Sequence, residues 1–203
     1  YLELLREQPP VRPTASSPVR RVVGRDAELA ALDLAWDAAV AGSAGLVVVT
    51  GPAGIGKSAL IDALEQGVHD TGLVLRAVPD VLGAELPLQP VLDALSRALA
   101  GRDTEALLGP DRELLAPLLG LARSRASTAS AFGAVTSTTG RAVLLAALES
   151  LLDRLGEEQP VLLLLDDGHL CDETTAQLLH RCTRPGAGHR LLVVVATRPD
   201  QGP

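Results

Sequence analysis

Apolar residues are spaced along this chain in two alternating rhythms. Leu29, Leu32, Trp36 and Val40 recur at helical spacing and predict a helix over about 26–41, with Asp26 as its cap and Gly42 as its stop. Leu46–Val49 with Thr50 is a continuous apolar run rich in β-branched residues, the pattern of a strand buried on both faces of a parallel sheet. Leu60, Ile61, Leu64 and Val68 predict the next helix, and 73–78 a second strand. Val91, Leu92, Leu95 and Leu99 predict a helix opened by Pro90, and 103–122 reads as two further short helices. Residues 124–140 are rich in Ser, Thr and Ala without apolar period and read as a mobile loop. Leu144, Leu148, Leu151 and Leu155 predict an amphipathic helix over 141–155, stopped by Gly156. Strands at 161–166 and 191–197 flank a helix at 172–182. Strands alternating with helices imply a three-layer α/β domain with a mainly parallel sheet over 22–203. Residues 8–21 hold four prolines among Ser, Thr and Arg, so 1–21 reads as a linker after the end of an upstream element.

Composition narrows the function. With only Tyr1, Trp36 and Phe132 as aromatics, the core must be built from Leu, Val and Ala. A net charge of −7 disfavours a non-specific nucleic-acid surface on this segment. The apolar runs are far shorter than the ~20 residues that span a bilayer, so no membrane partner is expected. Cys171 and Cys182 would lie about 16 Å apart along a helix, too far for a bridge, which suits a cytoplasmic location. The chain has no methionine and reads as a piece of a longer protein.

One lysine stands among 18 basic residues, and it closes Gly51-Pro52-Ala53-Gly54-Ile55-Gly56-Lys57-Ser58. This is the spacing of a phosphate-binding loop, set between a predicted strand and a predicted helix. Its glycines let the backbone approach oxygen atoms, and the amides of Gly54, Gly56, Lys57 and Ser58 can form an anion nest at a helix start that continues through Ala59. A compact ammonium fits such a loop where a planar guanidinium would not. Lys57 is expected at the β- and γ-phosphates, and the Ser58 hydroxyl on Mg²⁺. Asp166 and Asp167 end an apolar strand, at the sheet edge where open α/β folds bind ligands. There Asp166 would hold Mg²⁺ and Asp167 would orient the attacking water; a plain Asp-Gly turn is the competing reading. Arg198, at the end of the last strand, is a candidate γ-phosphate sensor or a surface arginine before Pro199. His169 reads as structural in preference to a phosphate or water contact.

Taken together these elements resemble the AAA-type ATPase domain of the signal-transduction ATPases with numerous domains, as found in bacterial LuxR-type and SARP-type transcriptional regulators. Val22-Val23-Gly24-Arg25-x-x-Glu28-Leu29 matches the family's hhGRxxEL motif, and Gly51–Ser58 its GPAGIGKS loop. Residues 166–172 are similar to its DDLHWAD signature, with Gly168 for the usual Leu and Leu170 for the usual Trp, and 196–199 to its sensor segment. The resemblance implies an AAA-like strand order with the fifth strand and lid outside this fragment. It places Val23, Gly24 and Arg25 around the adenine, with ATP and Mg²⁺ as cofactors. It further implies a weak, regulatory Mg²⁺-dependent ATPase, DNA contacted only through domains outside this chain, and room for nucleotide-dependent self-association. Trp36, on the helix after the adenine motif, is expected to report nucleotide by its fluorescence. A nucleotide-binding interaction module with little hydrolysis and a small-molecule P-loop kinase remain open alternatives.

Overall fold

The computed structural model describes residues 24–79, 87–121, 137–184 and 188–199. Its elements follow the order α1 (Asp26–Val40), β1 (Gly45–Thr50), α2 (Lys57–Val68), β2 (Leu73–Ala77), α3 (Gln89–Leu99), α4 (Thr104–Leu108), α5 (Arg112–Leu118), α6 (Thr138–Glu158), β3 (Val161–Leu165), α7 (Glu173–Cys182) and β4 (Leu191–Thr197). Short 3-10 turns occupy Gly109–Asp111 and Gly168–Leu170. The linker read over 1–21 and most of the loop read over 124–140 lie outside the described residues.

The four strands form one parallel sheet in the order β1-β4-β3-β2. Side chains alternate across a strand, so each central strand feeds both layers. Leu162, Leu164, Leu192, Val194 and Ala196 meet Leu32, Trp36, Ala39, Leu60, Ile61, Leu64 and Val68 of α1 and α2. Val161, Leu163, Leu165, Leu191 and Val193 meet the leucines of α3 to α7 on the opposite face. Each fully buried Leu or Val contributes about 1.5–3 kcal/mol relative to exposure, and β3 and β4 carry nine such residues between them. That two-sided burial is why both strands read as unbroken apolar runs.

Four expectations are corrected. β1 is not buried on both faces: it is the outer strand of the described sheet, its residues alternate between half-buried and exposed, and Leu46 and Val48 are exposed. Asp26 does not cap α1; it is the first helical residue, and Arg25 occupies the cap position without a side-chain cap bond. Gly156 does not end α6. The helix starts on the Ser137 cap, whose hydroxyl accepts from Gly140 N, and runs through the buried Gly156, which packs beside Arg190 without a left-handed φ, to Glu158. Trp36 does not lie near the ligand edge. Its ring abuts Gly72, which immediately precedes β2, so it sits at the amino edge of the sheet. α1 runs the full depth of the domain, with Arg25 bonded to Ile55 O at one end and Val40 O accepting from Arg190, just before β4, at the other.

Candidate functional site

β1 hands over to α2 through residues 51–56, and two glycines make the handover sterically possible. Gly54 and Gly56 have φ of +76° and +97°, a left-handed region that side chains disfavour, and a Cβ at either would meet nothing within 4 Å. Gly56 is the cap of α2; no side chain bonds the first amides and no acid lies in the first turn. An unclaimed helix start of this kind attracts an anion. The loop closes on itself at Gly51, where a Cβ would stand 3.0 Å from the Ile55 side chain. Pro52 O accepts from Ile55 N at 3.4 Å. Pro52, Ala53, Gly54 and Ile55 face solvent, while Ala59 is half-buried in the first turn of α2.

Lys57 Nζ donates to Gly51 O at 2.8 Å and Pro52 O at 3.1 Å, folding its ammonium over the loop. Ser58 Oγ donates to Asp166 Oδ2 at 2.8 Å, and Asp166 Oδ1 accepts from Asp167 N at 3.1 Å. Strand order explains the meeting. β4 lies beside β1 with Thr50 level with Thr197, and β3 lies beside β4 with Leu165 level with Val195. The residues following all three strands therefore share the carboxyl edge of the sheet, the edge at which open α/β folds bind ligands.

Asp167 holds φ +53°, one of two non-glycine residues with positive φ among those described. Aspartate tolerates this conformation better than most residues, but it is sparsely populated and such strain clusters at functional sites. The turn places the Asp167 carboxylate between the Arg198 guanidinium and the His169 ring, with Arg198 Nη2 at 3.7 Å and His169 Nδ1 at 3.8 Å from Oδ1. The His169 side chain is only 9% exposed, and its Nδ1 has no hydrogen-bond partner. The substitution of Gly168 for the larger residue of the related signature has a packing reason: a Cβ there would come 2.2 Å from Val195 Cγ1. Glycine lets the turn lie directly on β4.

Arg25 reaches the phosphate loop from the start of α1. Its Nη2 donates to Ile55 O at 3.0 Å and its Nη1 to Glu28 Oε1 at 3.0 Å, so the side chain grips the loop itself. Gly24 has φ +76°, and Val23 lies outside the described residues.

Sequence reasoning placed Asp172 in the 166–172 segment but gave it no role of its own. It caps α7, accepting from Thr175 N at 2.9 Å and Thr175 Oγ1 at 2.7 Å, and also takes the amide of Leu88 at 3.0 Å. Leu88 is the other positive-φ residue, at +65°, and is fully buried. Burial opposes ionisation of Asp172, but bonds from Thr175, Leu88 and Thr174 outweigh it and hold the carboxyl below its ordinary range. An Asp followed three residues later by Thr at a helix start was the available signal. Burial and the charge of Asp172 push the Cys171 thiol up to about 11, so it stays protonated near neutrality.

The donors fit the groups that the loop implies. Ser58 and Asp166 are oxygen donors, as a hard divalent cation prefers, and among the described residues no cluster of three or more His, Cys, Asp or Glu offers a rival metal centre. The open loop with its lone ammonium suits a phosphate chain.

Comparison with known proteins agrees with this geometry. The chain is 28% identical over 200 residues to an uncharacterized protein of Rhizobium meliloti (strain 1021), an alignment that takes in 88% of this chain and 19% of that protein. The chain thus spans about a fifth of the curated relative it matches. In fold it is similar to the crystal structure of Cdc6p from Pyrobaculum aerophilum, with a TM-score of 0.56 at 16% identity over 92% of this chain and 42% of that one. A family model for the AAA ATPase domain matches residues 21–194, which takes in the phosphate loop, the Asp166-Asp167 pair, the first three strands and the first half of β4. On that match the chain belongs to the AAA ATPase domain family, whose members bind nucleotide.

Proposed function

We propose that this chain is the ATP-binding switch domain of a larger cytoplasmic signalling protein, a transcriptional regulator, and that it hydrolyses ATP slowly. The observation that carries the reading is the junction of the two motifs: Ser58 Oγ lies 2.8 Å from Asp166 Oδ2, directly beside the Lys57 ammonium and its glycine loop. In this reading the amides of Gly54 to Ser58 receive the β- and γ-phosphates, and Lys57 exchanges its two carbonyl partners for phosphate oxygens. Ser58 and Asp166 would hold Mg²⁺, which when bound neutralises phosphate charge. Asp167, already turned outward by its left-handed backbone, accepts a hydrogen bond from the attacking water. Arg198 sits at the adjoining strand end and adds a charge-assisted bond to the γ-phosphate. Engaging the γ-phosphate would draw Arg198 away from Asp167, with which it forms a 3.7 Å ion pair here, and loss of the phosphate would restore that pair, which gives the domain two arrangements to signal with.

The signalling role is supported by the DDLHWAD-like segment and by the size of the curated relative, about five times the matched span. DNA contacts would belong to other parts of the protein, as the net charge of −7 here suggests. The test is phosphate release by the full-length protein with and without Asp167→Asn. Slow Mg²⁺-dependent release that the substitution abolishes supports the switch. Tight ATP binding with no release in either form would make the domain a nucleotide-holding module instead, and transfer of phosphate to an added small molecule would make it a kinase.

A further inference from the structure

We propose that Arg25 is a positioning residue for the phosphate loop, acting on triphosphate binding rather than on recognition of the base. The inference rests on the reading of residues 51–58 as a phosphate site. Among the described residues, two side chains bond loop carbonyls. Lys57 takes Gly51 O and Pro52 O, and Arg25 takes Ile55 O from α1, thirty residues away in sequence. Lys57 must release those carbonyls when phosphates arrive. Arg25 has nothing to release, so its bond is the one that persists through binding.

Its target sets an amide. A peptide unit is planar and trans, so the Ile55 carbonyl and the Gly56 N–H point in opposite directions. Holding the oxygen on Arg25 turns the Gly56 amide away from α1 and into the loop. Gly56 needs such a restraint, because glycine at φ +97° gives up more backbone freedom than any other residue would.

Arg25 is itself held at both ends. Its carbonyl accepts from Leu29 N at 2.9 Å in the first turn of α1, and its second guanidinium nitrogen is fixed by Glu28. Only a fork with several donors can take Glu28 and Ile55 at once; an ammonium has the charge without the span. The Arg25 side chain is three-tenths exposed, so its removal opens a gap that water can enter rather than a closed cavity.

The test compares ATP with inorganic tripolyphosphate, which carries no base, as competitors for a fluorescent nucleotide on the full-length protein. Arg25→Ala is expected to weaken both ligands by the same factor, about tenfold, the size of one charge-assisted bond. Arg25→Lys is expected to weaken both equally but less, and the thermal midpoint without ligand should stay put in both variants. Loss confined to ATP would place Arg25 at the base and overturn the proposal, as would unchanged binding of either ligand. Lys57→Ala examines the underlying reading separately: if tripolyphosphate fails to bind the unsubstituted protein, or binds the Lys57→Ala form equally well, the phosphate site itself falls and this proposal with it.

Discussion

Ser58 Oγ donates to Asp166 Oδ2 at 2.8 Å across 108 residues of sequence. This bond joins the start of α2 to the end of β3, two strands away from β1, and it occupies the position where a divalent cation would take both oxygens. Asp166→Ala is therefore expected to remove the Mg²⁺ dependence of nucleotide binding while leaving some affinity through Lys57 and the loop amides. Asp167→Asn should keep Mg²⁺-dependent binding and lose phosphate release. Titrations with and without Mg²⁺ distinguish the two, and retained Mg²⁺-dependent turnover in Asp166→Ala would reassign the acid.

Lys57→Ala should weaken ATP binding by about 1.5–3 kcal/mol, the worth of a hydrogen bond to a charged group. The fold should survive, because Lys57 bonds only two carbonyls at a partly exposed site. Calorimetry alongside circular dichroism checks both halves; equal affinity would exclude Lys57 from the phosphates.

Gly168→Ala should destabilise the turn that carries Asp167. The new Cβ would lie 2.2 Å from Val195 Cγ1, and overpacking of this kind costs about 1–3 kcal/mol. Removing the obstruction with Val195→Ala should restore part of the loss, so that the double variant melts above the sum of the singles. Strictly additive melting shifts would mean that the contact is relieved by backbone movement.

Asp172→Ala should cost about 1–2 kcal/mol as a lost helix cap, and more if the buried Leu88 amide finds no other partner. The carboxyl titrates below its unfolded value, so its contribution is fully present above the unfolded pKa and disappears as pH falls through the folded one. The gap in unfolding free energy between the original protein and Asp172→Ala should hold constant near neutrality and narrow in acid. A constant gap down to pH 2 would show that hydrogen-bond geometry alone, not ionisation, makes the cap.

Trp36 emission should stay flat as nucleotide is added, since the ring lies at the amino edge of the sheet and the phosphate loop at the carboxyl edge. It should instead report Gly72→Ala, whose Cβ would stand 2.5 Å from the indole. A large nucleotide-dependent change would mean that α1 moves as a body.

The sequence by itself determined what depends on neighbours in the chain. Short continuous apolar runs marked the strands, leucine spacing marked the helices, and Gly54, Gly56 and Lys57 marked a phosphate loop, because apolarity, φ freedom and side-chain charge are properties of single residues. It also carried the acids at 166 and 167 and the arginine at 198 as strand-end residues. Tertiary structure decided what depends on strand order. Nothing local to Leu46–Thr50 distinguishes an outer strand from a central one, so the exposure of Leu46 and Val48 followed only from which strands pair. The same holds for Arg25, whose long side chain reaches Ile55 or solvent depending on where α1 lies. It holds for Asp172, whose third partner comes from a loop 84 residues upstream, and for Trp36, whose helical period was legible while its height along the sheet was not. Packing is a relation between segments, and one segment's pattern records that a face is buried without recording what buries it.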